Sequence, residues 1–280
     1  MSDQNRIKKY RTFQQLHSKH FPFVLPNAWD ASSARVFEER GFKAIGTTSA
    51  GIAMSLGYSD GENISFKRML EVIKMIVHSV NIPVSADIEA GYGMSVEEVV
   101  ENVRQLIFAG VVGINLEDAT GNPDDPILDT SLHAEKIAAI RKLSQSLDMP
   151  LFLNARTDLY WLNIGDSENR LQAAIVRARA YQKAGADCIF IPGVQNIETI
   201  KMLRQEISCP INLLVSPATP TLDELSEIGI ERVSTGSAPF RATITLLRKM
   251  SEDVIFHGNF QRMNDDVISY AEITEMLKSN

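Results

Sequence analysis

Strict alternation constrains this chain most. Roughly eight short apolar runs recur along it, each followed by a segment with helical spacing or capping signals. The runs are residues 23–25, 44–47, 83–87, 112–116, 150–156, 188–191, 211–215 and 232–235. Asn27 or Asp30 caps a helix that Gly41 ends, and Ser65 caps one over 66–79 with Met69, Val72, Ile73, Ile76 and Val77 at helical spacing. Ser95, with Glu97 and Glu98 behind it, starts another that Gly110 stops. Further helices are predicted over 6–20, 131–147, 167–184, 198–207, after Thr221, and over 237–250 and 270–278. Such alternation dictates parallel strands with right-handed crossovers. In 280 residues it favours an α/β fold of the closed (β/α)8 TIM-barrel type, with a doubly wound open sheet as runner-up. Residues 1–280 then form a single barrel domain with an N-terminal helix and a C-terminal helical extension. No G-x-G-x-x-G or Walker-type loop follows any run, which weakens a nucleotide-binding reading.

A net charge of −7 and a pI near 5.3 argue against nucleic-acid or anionic-membrane partners. The N-terminus is polar, and no apolar run is long enough to span a bilayer, so a soluble cytoplasmic protein is expected. Cys188 and Cys209 lack metal-like spacing and read as structural.

In a barrel of this kind the active site lies at the C-terminal strand ends. The third run ends in Asp87 and Glu89, two residues apart, hence on one face of a strand, and Gly91 and Gly93 follow. Two aligned carboxylates repel unless a proton or cation sits between them, and a hard divalent ion such as Mg2+ is the simplest resolution. The second run ends in the hydroxyl-rich turn Thr47, Thr48, Ser49; Asp60 lies in the loop beyond; the fourth ends in Glu117 and Asp118, the fifth in Asn154 and Arg156. A 2-oxo acid fits such a group, chelating the metal while Arg156 holds its carboxylate and the metal stabilises an enolate. No lysine falls at a strand end, which weakens a Schiff-base mechanism. His17, His20, His78 and His257 fall on helices away from this group, and His133 reads as solvated surface. Asp118 is expected to bond a neighbouring strand's backbone, and Asp158 to orient Arg156 or the loop.

The motifs Pro26–Asn27–Ala28–Trp29–Asp30, Leu56–Gly57–Tyr58–Ser59–Asp60, Asp87–Ile88–Glu89–Ala90–Gly91–Tyr92–Gly93, Gly113–Ile114–Asn115–Leu116–Glu117–Asp118 and Asn154–Ala155–Arg156–Thr157–Asp158 occur in order. Together they resemble the isocitrate lyase / phosphoenolpyruvate mutase superfamily over about residues 23–241. The resemblance implies a (β/α)8 barrel whose last helix is exchanged with a neighbouring subunit, in a dimer or dimer of dimers (a homotetramer). It implies Mg2+, or Mn2+ in its place, with Asp87 as direct ligand and Asp60, Glu89 and Glu117 acting through metal-bound waters. Thr48, Ser49 and Ala50 match the turn that holds the substrate's carboxylate or phosphonate, and Arg156 matches the substrate-contacting arginine; Arg156 and Glu117 are the candidate catalytic residues.

The chain departs from that pattern in its loops. The lyases' Lys-Lys-Cys-Gly-His loop is here Ala119–Thr120–Gly121–Asn122–Pro123–Asp124–Asp125–Pro126, with no Cys, His or Lys. The lysine that mutases and hydrolases use in this loop is also absent, and the mutase histidine after the sixth strand is Pro192. Asn122, Asp124 and Asp125 are left as candidates to gate the site. What remains resembles the branch near oxaloacetate decarboxylases and 2-oxo acid binders. The expected function is a Mg2+-dependent lyase cleaving a C–C bond of a small 2-oxo or 2-hydroxy (di)carboxylic acid. The alternatives are P–C chemistry and a non-catalytic 2-oxo acid binder.

Overall fold

The computed structural model describes residues 3–18 and 21–278; the expectation for His20 lies outside the described residues. The apolar runs form β1 (Phe23–Leu25), β2 (Asn27–Ala28), β3 (Ile45–Thr47), β4 (Val84–Asp87), β5 (Gly113–Glu117), β6 (Phe152–Arg156), β7 (Cys188–Phe190), β8 (Ile211–Leu214) and β9 (Arg232–Ser234). All ladder pairs are parallel, and the order β1-β9-β8-β7-β6-β5-β4-β3-β2 begins and ends on the two halves of one strand. Pro26 makes the break, because it has no N–H to give a ladder. Its carbonyl still accepts from Gly46 N–H at 2.8 Å, and the Leu25 carbonyl accepts from Thr235 N–H at 3.2 Å. The sheet therefore closes as a (β/α)8 barrel rather than the open alternative.

Around it run α1 (Asp3–Leu16), α2 (Ala31–Glu39), α3 (Ser49–Ser55), α4 (Phe66–Ser79), α5 (Val96–Phe108), α6 (Thr130–Ser146), α7 (Ser167–Ala184), α8 (Ile197–Glu206), α9 (Leu222–Ile228), α10 (Ala238–His257) and α11 (Tyr270–Lys278). Ser65, Ser95 and Thr221 cap α4, α5 and α9, and Gly185 ends α7 in the left-handed region at φ 111°. Asp30, not Asn27, caps α2, accepting Ser33 N–H at 2.7 Å. Asn27 instead locks the barrel seam: its Oδ1 accepts from Thr235 N–H at 3.0 Å and Gly236 N–H at 2.9 Å, while Nδ2 donates to the Thr47 carbonyl at 2.8 Å. The turn expected after β3 is the start of α3, capped by Thr48 Oγ1, which accepts from Gly51 N–H at 3.2 Å. Among the described residues no helix is long and apolar enough to cross a membrane.

Aliphatic side chains fill the layer between sheet and helices. The barrel interior is polar instead, holding Asn115, Asn154, Asn212, Ser234 and the buried Arg232. Arg232 donates to Ser234 Oγ at 3.1 Å and Asn115 Oδ1 at 3.3 Å, and burial pushes its pKa down to about 10. Helix α1 closes the N-terminal mouth below this layer. Phe13 packs edge-on to Phe152 at 5.2 Å, His17 stacks on Phe152 at 4.0 Å, and Arg6 donates to the Val111 carbonyl at 2.9 Å. Cys188 belongs to this same small core, where burial pushes its thiol pKa up, as filler rather than nucleophile.

His133 is not on the surface. Helix α6 turns it inward on the stripe it shares with Ile137 and Ile140, against the edge of the Tyr181 ring at 4.6 Å. Burial pushes its pKa down to about 4. The folded state therefore holds it neutral while the unfolded chain protonates it near 6.5, so stability falls as pH drops from about 6.5 to about 4 and no further below that. At pH 5 the cost is about 2 kcal/mol. The expected result for His133→Leu is a smaller loss of urea-unfolding free energy between pH 7.5 and pH 5, by about that amount. An unchanged loss would show that His133 is not the titrating group.

Candidate active site

The C-terminal ends of β3 to β6 converge on one cavity of about 560 Å3. Asp87 closes β4, and the start of α3 fixes it from the side: Ser49 donates to Oδ2 through its N–H at 3.1 Å and its hydroxyl at 2.8 Å. The Asp87 N–H donates to Thr47 Oγ1 at 2.9 Å. Its other oxygen, Oδ1, is buried with no hydrogen-bond partner. Of the Thr48–Ser49–Ala50 turn, Ser49 lines the cavity, while the Thr48 hydroxyl is used as the α3 cap.

Glu89 reaches the site by a different route from the one its spacing predicts. The strand ends at Asp87, and Glu89 is left-handed at φ 51°, so strand alternation no longer applies. Its carbonyl accepts from Glu117 N–H at 2.9 Å, and its carboxylate accepts from Glu62 N–H at 2.6 Å and the Tyr92 hydroxyl at 2.5 Å. Tyr92 N–H in turn donates to Glu62 Oε1 at 2.7 Å. Glu62 and Tyr92 are both left-handed as well, at φ 56°. Three strained non-glycine residues, at a cost of about 1–3 kcal/mol each, thus hold one another in place.

Glu117 and Arg156 are paired residues on β5 and β6, and their side chains form an ion pair at 2.7 Å. Arg156 Nε also donates to Asp158 Oδ1 at 2.6 Å. Burial works against the Arg156 charge, but Glu117, Asp158 and Asp87 outweigh it and raise its pKa. Burial pushes the Glu117 carboxyl up, with Arg156 pulling the other way. Asp118, beside them and fully buried, accepts from Asp158 N–H at 2.9 Å, as expected of a strand-end tie, and from Arg177 at 3.0 Å and the Tyr181 hydroxyl at 2.6 Å.

The cavity floor and sides carry Ser49, Asp60, Glu62, Glu89, Glu117, Arg156 and Asp158. The 119–127 loop covers part of it, tied by a bridge between Ala119 and Ile127; of the three gating candidates, Asn122 lines the cavity. Glu62, Tyr92, Trp161 and Lys136 escaped sequence reasoning. Lys136 comes from α6, not from a strand end, and donates to the Ala90 carbonyl at 3.1 Å under the Glu89 loop. The placement of Tyr92 between Gly91 and Gly93 was the one signal available for the first pair.

A divalent cation suits this donor set. Burial and the Asp87 charge both raise the Asp60 pKa; burial, Asp60 and Asp87 push Glu89 up to about 7. The ion pairs of Arg156 go to Glu117 and Asp158, and at Asp60 its charge only partly offsets burial and the Asp87 charge. Among the described residues no three His, Cys, Asp or Glu side chains close around one point. Asp87 Oδ1, buried and without a partner, is the atom such a cation would reach, and Asp60, Glu89 and Glu117 line the cavity beside it.

The family model described as phosphoenolpyruvate phosphomutase matches residues 13–255. An uncharacterized protein of Mycobacterium tuberculosis is 38% identical over 238 residues, covering 82% of this chain and 84% of its own. A 2-methylisocitrate lyase of Halalkalibacterium halodurans is 26% identical, covering 95% of this chain and 88% of its own. A crystal structure of a candidate lyase/mutase from Burkholderia cenocepacia superposes with a TM-score of 0.92 at 33% identity, covering 99% of this chain and 98% of that one. The chain belongs to the phosphoenolpyruvate phosphomutase family, in the PEP mutase/isocitrate lyase superfamily.

Proposed function

We propose that this protein is a Mg2+-dependent carbon–carbon lyase acting on a small 2-oxo or 2-hydroxy (di)carboxylic acid. One observation carries the reading: Asp87, a carboxylate with a bare buried oxygen, is held by Ser49 just behind the wall of the cavity that is lined by an arginine immobilised by two carboxylates. Asp87 would hold the ion directly, with Asp60, Glu89 and Glu117 holding its waters. Bound there, Mg2+ supplies Lewis acidity toward the charge that develops on the substrate as its carbon–carbon bond breaks. Arg156 receives the substrate carboxylate, and Glu117 and Asp158 keep its guanidinium plane aimed at that task. Ser49 keeps Asp87 in one rotamer, and of the Thr48–Ser49–Ala50 turn it is Ser49, on the cavity wall, that would meet the acid.

The resemblance of the chain to a 2-methylisocitrate lyase supports carbon–carbon chemistry. So does the lining of the cavity, which among the described residues includes no lysine; Lys136 is engaged at the Ala90 carbonyl instead. The reading extends to a cytoplasmic homo-oligomer, a dimer or dimer of dimers. Leu247, Ile255 and Phe256 on α10 stand exposed, as helix exchange or subunit contact would require.

The function is tested by incubating the protein with Mg2+ and oxaloacetate, methylisocitrate, a dimethylmalate, 2-oxoglutarate or phosphonopyruvate, each followed by NMR. Cleavage of one carboxylic acid, abolished by EDTA, is expected; turnover of phosphonopyruvate alone would replace the reading with P–C chemistry. Asp87→Ala is expected to abolish metal-dependent ligand binding, and full metal dependence in that variant would refute the site. For Arg156→Gln, calorimetry is expected to show acid affinity down by about 10–100-fold, the worth of a charged hydrogen-bonded contact.

A further inference from the structure

Two large apolar side chains complete the lining of this otherwise polar cavity, Trp161 and Leu162. Trp161 is 56% exposed and Leu162 41%, so each presents apolar surface to solvent inside a concave site. The turn that carries them is well fixed. Leu162 N–H donates to the Asp158 carbonyl at 2.8 Å and Ile164 N–H to the Leu159 carbonyl at 2.9 Å. Gly193 presses on the turn from behind: a Cβ there would lie 3.0 Å from the Trp161 nitrogen and the Tyr160 carbonyl carbon. Arg170 lies over the Tyr160 ring at 5.5 Å and donates to the Ile164 carbonyl at 2.8 Å. The turn begins at Asp158, whose carboxylate grips Arg156. One rigid turn therefore sets both the acid-binding arginine and, three residues on, an aromatic wall.

We infer that Trp161, with Leu162 beside it, forms an apolar subsite that selects 2-oxo or 2-hydroxy acids carrying an alkyl or aryl substituent beyond the oxygen-bearing carbon. The inference rests on the proposed acid-binding reading and names the substrate class within it. A bare four-carbon acid leaves much of a cavity of about 560 Å3 to water, since pockets of about 300–1,000 Å3 enclose drug-sized ligands. A substituent lying on the indole takes apolar surface of both partners out of water. In such pockets one methylene already changes selectivity by about 10–200-fold.

The test is calorimetric binding of pyruvate and 4-methyl-2-oxopentanoate, with Mg2+ present, to the wild-type protein, Trp161→Ala and Trp161→Phe. The branched acid is expected to bind the wild type at least about tenfold more tightly than pyruvate. Trp161→Ala is expected to cut that ratio below about threefold, and Trp161→Phe to keep most of it. A wild-type ratio near one, or a ratio that survives Trp161→Ala, overturns the subsite. Equal weakening of both acids by Trp161→Ala overturns it too. If neither acid binds the wild type, the acid-binding reading fails and the subsite with it. Pyruvate binding without preference removes the subsite alone.

Discussion

One buried carboxylate ties the active end of this barrel together. Asp118 has no exposure to solvent and accepts from the Asp158 backbone, from Arg177 and from the Tyr181 hydroxyl. Those donors come from the end of β6 and from α7, so the knot joins β5 to its neighbour strand and to the helix outside it. Asp158 is thereby placed to hold Arg156, and Arg156 to hold Glu117. A charge this deep is tolerable because its donors arrive together; removing Arg177 would leave the Asp118 charge buried without its cation, at about 3–5 kcal/mol. Arg156 and Glu117 thus inherit their geometry from a structural ion pair network, while Glu89 is set by the loops that carry Glu62 and Tyr92.

The interior of the barrel follows the same logic. Branched aliphatic side chains ordinarily fill such a lumen. Here most of them lie in the outer layer, while the axis carries amides, hydroxyls and a guanidinium above a small apolar core that includes Leu25 and Phe152. Narrow strands make room for them. At Gly113 a Cβ would lie 3.1 Å from Phe13 and from Ser85 Oγ, and at Gly46 one would fall 2.6 Å from the Asn27 amide. Those two glycines let α1 seal the lumen below and let Asn27 stitch the seam where Pro26 interrupts the ladder.

Much of this was legible in the sequence, because alternation and capping are local. Glu117 and Arg156 declare themselves as strand-end residues by counting in twos, and Ser65, Ser95 and Thr221 mark helix starts by the hydroxyls they offer. What escaped depends on contacts far apart in the chain or on backbone that periodicity does not encode. Glu89 is two residues past Asp87, but the strand stops between them and a left-handed residue turns the chain. Glu62 meets Glu89 across 27 positions. His133 and Lys136 lie on the buried stripe of α6 though neither is apolar, so the amphipathic pattern there is faint. Small residues hid α3, whose sequence Ser-Ala-Gly-Ile-Ala-Met-Ser reads as a turn until the Thr48 cap is seen.

Sealing one mouth of the barrel governs traffic through the other. With Phe13, His17 and Arg6 stoppering the N-terminal end, the cavity opens, among the described residues, at its rim beside the 119–127 loop and Trp161. On the proposed lyase reading, cleavage makes two fragments from one, and both leave by the way the substrate came. A fragment held at Arg156 and Asp87 would then leave after the outer one, so that departure becomes a queue set by the architecture.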